Sequence, residues 1–183
     1  MQEKEFIDRL KKGDEKAYRK LTDDHSQMIF NTCYSFLKNR ADADDIAQDV
    51  FVEAFQSIHK FRSEANLRTW LYRIAINKTL NFMKRQKRHT FTDDFTKIKN
   101  DSLEAEVTDH ASEDAERKQV LDKAIQSLSK NQRIAFTLHK IDEKSYKEIS
   151  DIMNVSISSV ESLMHRAKTN LQKKLVTYYK SQH

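Results

Sequence analysis

Apolar residues recur along the chain at intervals of three and four, the period of a helix rather than a strand. Phe6, Ile7 and Leu10 form a first short stripe that stops at Gly13, a residue suited to the position just past a helix end. Asp14 can cap a second helix carrying Tyr18, Leu21, Met28, Ile29 and Phe36. Asn39-Arg40-Ala41 predicts a break, and Asp42 an N-cap for a third helix. The buried stripe expected of that helix is Ile46, Val50, Phe51, Ala54, Phe55 and Ile58. After Phe61 a polar interval, Arg62 to Asn66, precedes a fourth helix in which Leu71, Ile74, Ala75 and Lys78 keep the period. Later, Val120, Leu121, Ala124, Ile125 and Leu128 make one stripe, and Ile134, Ala135 and Leu138 another. Tyr146, Ile149, Ile152 and Met153 follow, behind Ser145 and Glu148 at capping-box spacing. Asn154 to Ile157 predicts a short turn, because Asn tolerates the left-handed conformation. The last helix turns Val160, Leu163, Met164, Ala167, Leu171 and Leu175 inward, with either Ser156 or the Ser158–Glu161 pair at its start.

Composition sharpens this picture. One Gly and no Pro among 183 residues cannot supply the turns of a sandwich or barrel, so the fold is expected to be all α-helical. The same scarcity excludes a P-loop, a GxGxxG cradle and a GxSxG elbow. No apolar run exceeds three residues, so neither a membrane span nor a signal-peptide core is expected, and the protein is expected to be cytoplasmic without membrane insertion. The lone Cys33 excludes a disulfide framework and reads as a small buried hydrophobe. The seven His are scattered without HExxH spacing. No catalytic residue, metal or cofactor is therefore expected.

The net charge of +5 conceals segregation. Residues 1–59 carry −3, 60–88 carry +8, 89–116 carry −7 and 117–183 carry +7. The acidic stretch is rich in Asp, Thr, Ser and Asn with no sustained period, so it predicts a flexible linker. Two small helical domains are expected, 1–89 and 117–183, joined by an acidic tether at 90–116.

Three surfaces invite a functional reading. On the third helix, Asp45, Gln48, Asp49 and Val52 fall together at i, +3, +4, +7, with Asp44 alongside. This is either a solvated acidic face or a docking surface for a basic partner. On the fourth helix, Arg73, Asn77, Lys84 and Arg88 share a face, and Lys84 to Arg88 becomes a basic ridge. Cations there would neutralise phosphates, and Phe61, Trp70, Tyr72 and Phe82 are either core or faces for unstacked bases. The last two long elements, joined by a short turn, form a helix-turn-helix or a generic helical hairpin. Its second helix leaves Ser158, Ser159, Glu161, Ser162, His165, Arg166 and Lys168 outward, early residues toward base edges and later cations toward phosphates.

These motifs together resemble a bacterial RNA polymerase sigma factor, specifically the two-domain extracytoplasmic-function group of the sigma-70 family, over nearly the whole chain. Asp42-Ala43-Asp44-Asp45-Ile46-Ala47-Gln48-Asp49-Val50-Phe51 is similar to the family's acidic clamp-binding helix. Phe61-Arg62 and Thr69-Trp70-Leu71-Tyr72-Arg73-Ile74-Ala75-Ile76-Asn77 resemble its promoter-melting segment. Ser145-Tyr146-Lys147-Glu148-Ile149, Ser159-Val160-Glu161-Ser162 and His165-Arg166-Ala167-Lys168 resemble its C-terminal DNA-reading domain. The chain departs from the family's usual residues at Ser63, Asn81, Leu128-Ser129 and Ser158-Ser159-Val160-Glu161.

The resemblance implies a set of partners and roles. Asp44, Asp45, Gln48, Asp49 and Val52 would bind the β′ clamp of core RNA polymerase. Ser57, Phe61, Arg62, Ser63, Trp70, Arg73, Asn77, Lys84, Arg85 and Arg88 would recognise and melt the minus-ten promoter element. A loop over Arg62 to Asn66 would capture a flipped base, a step that requires stacking and edge hydrogen bonds to offset unstacking. Ser156, Ser158, Ser159, Glu161, Ser162, His165, Arg166 and Lys168 would hold the minus-thirty-five element as duplex, while the second domain touches the β flap. The acidic linker would thread toward the polymerase active-site channel. Anti-sigma factors are common partners in this group, and the sequence leaves open whether one sequesters this chain. The competing class is a one-component helix-turn-helix repressor or activator, which would leave the acidic stripe and the Phe61–Arg88 segment without a use.

Overall fold

The computed structural model describes residues 3–62, 65–93 and 109–180, the backbone alone at 87–93 and 109–114. Eight α-helices and one 3₁₀ turn make up the regular structure of these residues, with no strand among them. They cluster into two compact units, one built on Met1–Thr90 and one on the helices that follow. No helix among the described residues is long and apolar enough to cross a membrane.

The first unit contains α1 (Glu3–Lys11), α2 (Glu15–Leu37), α3 (Arg40–Ser57), a 3₁₀ turn (Ile58–Lys60) and α4 (Leu67–Asp93). Its joints follow from local chemistry. Gly13 takes φ +76°, with nothing within 4 Å of the place a Cβ would occupy, so backbone conformation alone selects glycine there. Asp14 then caps α2, its Oδ1 accepting from the Lys16 and Ala17 amides at 2.9 and 3.2 Å. Its Oδ2 receives Arg9 Nε at 2.7 Å, and that guanidinium, with the capping amides, holds the carboxyl below its ordinary value. Between α2 and α3, Lys38 turns left-handed at φ 57° and Asn39 caps α3 through the Asp42 amide at 3.1 Å. The cap is thus Asn39 rather than the expected Asp42, because only the earlier residue has extended backbone while its side chain reaches an amide three positions on.

α1 to α4 and the 3₁₀ turn bury one core that includes Leu10, Leu21, Ile29, Val50, Ile58 and Leu71. Ala43, Ala47 and Ala54 of α3 are fully or nearly fully enclosed, so the helix turns its small-residue side inward. That choice corrects the expected stripe: Ile46, Val50, Ala54 and Ile58 are buried, Phe51 is half-buried, and Phe55 is 55% exposed. Cys33 is fully buried, as a small hydrophobe should be.

The second unit contains α5 (Asp109–Gln126), α6 (Lys130–Lys140), α7 (Tyr146–Met153) and α8 (Ile157–Lys180). Ala124, Leu128, Ala167 and Leu171 form the packing of α5 on α8, flanked by Phe136 and Leu175. Near the far end of α8, Tyr178 donates to Glu116 Oε1 of α5 at 2.6 Å, and the carboxylate raises the phenol pKa by stabilising its protonated form. Helix intrudes on both ends of the stretch expected as linker, α4 running on to Asp93 and α5 beginning at Asp109. The acid-rich sequence before residue 117 suits the first turns of a helix, where the macrodipole favours negative charge. Residues 94–108 lie outside the described residues.

Candidate functional site

α3 carries the first of three surfaces. Asp44, Asp45, Gln48 and Asp49 are exposed, and none of the three carboxylates is paired among the described residues. Val52 is 54% exposed and Phe55 55%. At about 100° per residue, Phe55 lies about 60° around the helix from Val52, so the two form one apolar patch continuing the acidic stripe. Tyr18 of α2 supports that patch, its ring 4.6 Å from Phe55 in an edge contact. Phe55 escaped sequence reasoning because a phenylalanine at helical spacing reads as core. The signal that could have found it was the trio Ala43, Ala47 and Ala54, which centres the inward face a quarter-turn away.

The second surface runs along α4 and the turn before it. Ser57 is half-buried and its hydroxyl is engaged by the Glu53 carbonyl at 2.6 Å. Phe61 does not offer a free ring: it is 4% exposed and packs against Trp70 with centroids 5.3 Å apart. Of the two readings left open for Phe61, core or a face for an unstacked base, its burial among the core residues of the first unit accords with core. Trp70 is half-buried on the outer side of that pair. Arg62 is exposed, while Ser63 lies outside the described residues.

Two acceptors fix the start of α4. Asn66 Oδ1 takes the Thr69 amide at 2.7 Å, and Glu3 Oε1, from α1, takes the Leu67 amide at 3.1 Å. Trp70, Arg73, Asn77 and Lys84 then fall within about 60° of one another around α4 by its 3.6-residue period. Asn77, Lys84 and Arg85 are exposed and Arg73 half-buried; the Arg88 side chain lies outside the described residues. Arg85 sits about a quarter-turn off the shared face. The Lys78 ammonium leaves this ridge for the Glu53 carboxylate of α3 at 3.6 Å.

The third surface is the pair α7–α8. Ser145 and Glu148 form the expected capping box, the Ser145 amide and hydroxyl donating to Glu148 Oε2 at 2.9 and 2.8 Å while the Glu148 amide returns to Ser145 Oγ at 3.3 Å. Asn154 takes φ 55°, and Ser150 Oγ closes the turn on the Val155 carbonyl at 2.8 Å. Ser156 is the cap of α8, its hydroxyl accepting the Ser159 amide at 3.2 Å. Val160, Met164, Ala167 and Leu171 are buried, and Ser158, Ser159, Glu161, Ser162, His165, Arg166 and Lys168 are all exposed along the outer face. Ser156 is exposed too, but its hydroxyl also meets the Ser158 and Ser159 hydroxyls at 3.0 and 2.8 Å, so its first role is local.

Comparison with known proteins separates the two classes that the sequence left standing. A model of sigma-70 region 2 matches residues 21–89 and one of sigma-70 region 4 matches residues 118–171. The ECF RNA polymerase sigma factor SigW of Bacillus subtilis is 30% identical over 179 residues, covering 94% of this chain and 96% of that protein. The ECF RNA polymerase sigma-E factor of Escherichia coli K12 is 28% identical over 177 residues, covering 93% and 92%. Among solved structures, CnrH in complex with the cytosolic domain of CnrY shares the fold at a TM-score of 0.64 and 22% identity, over 94% of this chain and 96% of that one. The sigma factor RpoE of Bartonella quintana, in complex with the anti-sigma factor NepR, gives 0.59 at 24% identity, over 87% and 97%. A helix-turn-helix repressor would need no region 2, whereas here that region accounts for the acidic face of α3 and the basic ridge of α4. The chain belongs to the extracytoplasmic-function group of the sigma-70 family, the sigma factors that direct RNA polymerase to promoters.

Proposed function

We propose that the three surfaces divide the work of a sigma factor among them. The outer face of α3 docks on the β′ clamp of core polymerase: Asp44, Asp45, Gln48 and Asp49 meet basic side chains, and Val52 with Phe55 meets an apolar one. The observation that carries this assignment is the conjunction, on one helical face, of three carboxylates unpaired among the described residues with two half-exposed apolar side chains. Adjacent exposed apolar side chains beside carboxylates suit a partner that offers both an apolar and a basic contact.

The face of α4 shared by Trp70, Arg73, Asn77 and Lys84 engages the minus-ten element, with Arg62, Arg85 and Arg88 contributing charge. Asn77 offers an amide to a base edge, and Trp70 rather than Phe61 offers the aromatic face. Phe61 serves as the buried floor that holds Trp70 in place. The outer face of α8 lies in the major groove of the minus-thirty-five duplex, and the second domain meets the β flap. Residues 1–89 and 117–183 act as the two modules, with 90–116 between them. The chain performs no catalysis of its own and works in the cytoplasm beside its polymerase, and an anti-sigma protein is the expected inhibitor.

Docking is tested with Asp49→Arg in the full chain. The variant is expected to fold, by circular dichroism, but to lose association with core polymerase and run-off transcription. Association equal to that of the unaltered chain would remove the α3 assignment.

A further inference from the structure

We infer that Glu161 reads the N4 amino group of a cytosine in the upstream promoter element. The inference rests on the duplex-binding role proposed for the second domain. Glu161 is the only acidic residue of α8, a helix whose later turns carry Arg166, Lys168, Lys173, Lys174 and Lys180. It is exposed and makes no side-chain hydrogen bond or ion pair among the described residues, His165 one turn on included.

No local task accounts for it. Ser156 already caps the helix through the Ser159 amide. Glu161 stands at the fifth helical position, past the first turn within which the macrodipole rewards a negative charge. The carboxylate therefore faces outward from the part of α8 that enters the groove, on a surface whose other charged side chains are cations. Against a polyanion such a group is repelled unless it meets a donor.

The major groove offers two amino donors, cytosine N4 and adenine N6. Adenine sets its N7 acceptor beside N6, where it opposes the second carboxylate oxygen. Cytosine presents no acceptor of its own on that edge, so a carboxylate, which only accepts, fits cytosine. The hydroxyls of Ser158 and Ser162, which donate or accept, flank it without dictating a base. Arg166 and Lys168, more than a turn later, are left for the phosphates.

The test uses the full chain with core polymerase on promoters randomised through the upstream element, with transcripts counted by sequencing. The unaltered chain is expected to favour cytosine at one position by about tenfold or more. Glu161→Ala should flatten that position alone. Glu161→Gln should move the preference there toward adenine, because an amide pairs with N6 and N7 together. Coincident profiles for the unaltered chain and Glu161→Ala would overturn the inference, as would a loss spread evenly over every position, which would mark a helix-stability effect. Absence of any upstream preference in the unaltered chain, with transcription intact, would take down the duplex-reading role itself and Glu161 with it.

Discussion

Phe55 and Phe61 sit six positions apart and should behave oppositely when truncated. Phe61 is 4% exposed inside the core of the first domain. Phe61→Ala removes a packed ring and leaves a cavity, a change that typically destabilises by about 3–5 kcal/mol. That is a large share of the roughly 5–15 kcal/mol by which a small domain is stable. Phe55 keeps 55% of its surface in water, so Phe55→Ala should destabilise the free protein by only about 1 kcal/mol, a fraction of the burial value of a whole ring. Its exposed part, roughly 100 Å² of a side chain of this size, would leave water on docking and contribute about 2.5 kcal/mol. Core polymerase affinity should therefore fall between about tenfold and a hundredfold. Denaturant unfolding of the free chain and fluorescence titration with core polymerase read the two quantities on the same variants. If Phe55→Ala unfolds as readily as Phe61→Ala, or binds polymerase as the unaltered chain does, the apolar extension of the docking face is wrong.

Three further outcomes are expected. Asn77→Ala should shift base preference at one minus-ten position in a transcription assay on variant promoters; an equal loss on every promoter would mark a structural role instead. Arg166→Ala should weaken duplex binding for all sequences and lower the slope of log affinity against log salt by about one, as the loss of one phosphate contact requires; an unchanged slope would remove Arg166 from the backbone contacts. Burial, opposed by Asp24, holds the His25 imidazole below its ordinary value of 6.5, so the folded chain binds that proton less readily than the unfolded one. Stability from this residue is thus full above pH 6.5 and declines as the pH falls below it, and His25→Gln should melt with a shallower pH dependence there; parallel melting curves would show that His25 is not the group responsible.

By itself the sequence determined the helical class, the two-module layout and most of the joints. A single glycine and no proline leave no material for sheets, and caps such as Asp14, Ser145 with Glu148, and the left-handed Asn154 act within three or four residues of themselves. The outward face of α8 was legible for the same reason, since a stripe spaced by three and four fixes both sides of a helix at once. The tertiary structure alone decided which of several apolar side chains face in. α3 turned Ala43, Ala47 and Ala54 into the core, and that rotation exposed Phe55 while Phe61 was drawn into the core beneath Trp70. Likewise Glu3 capping Leu67 joins residues 64 positions apart, and no local pattern announces such a contact. Periodicity specifies an angle around a helix only to within a residue or so, and the neighbour against which it packs settles the rest.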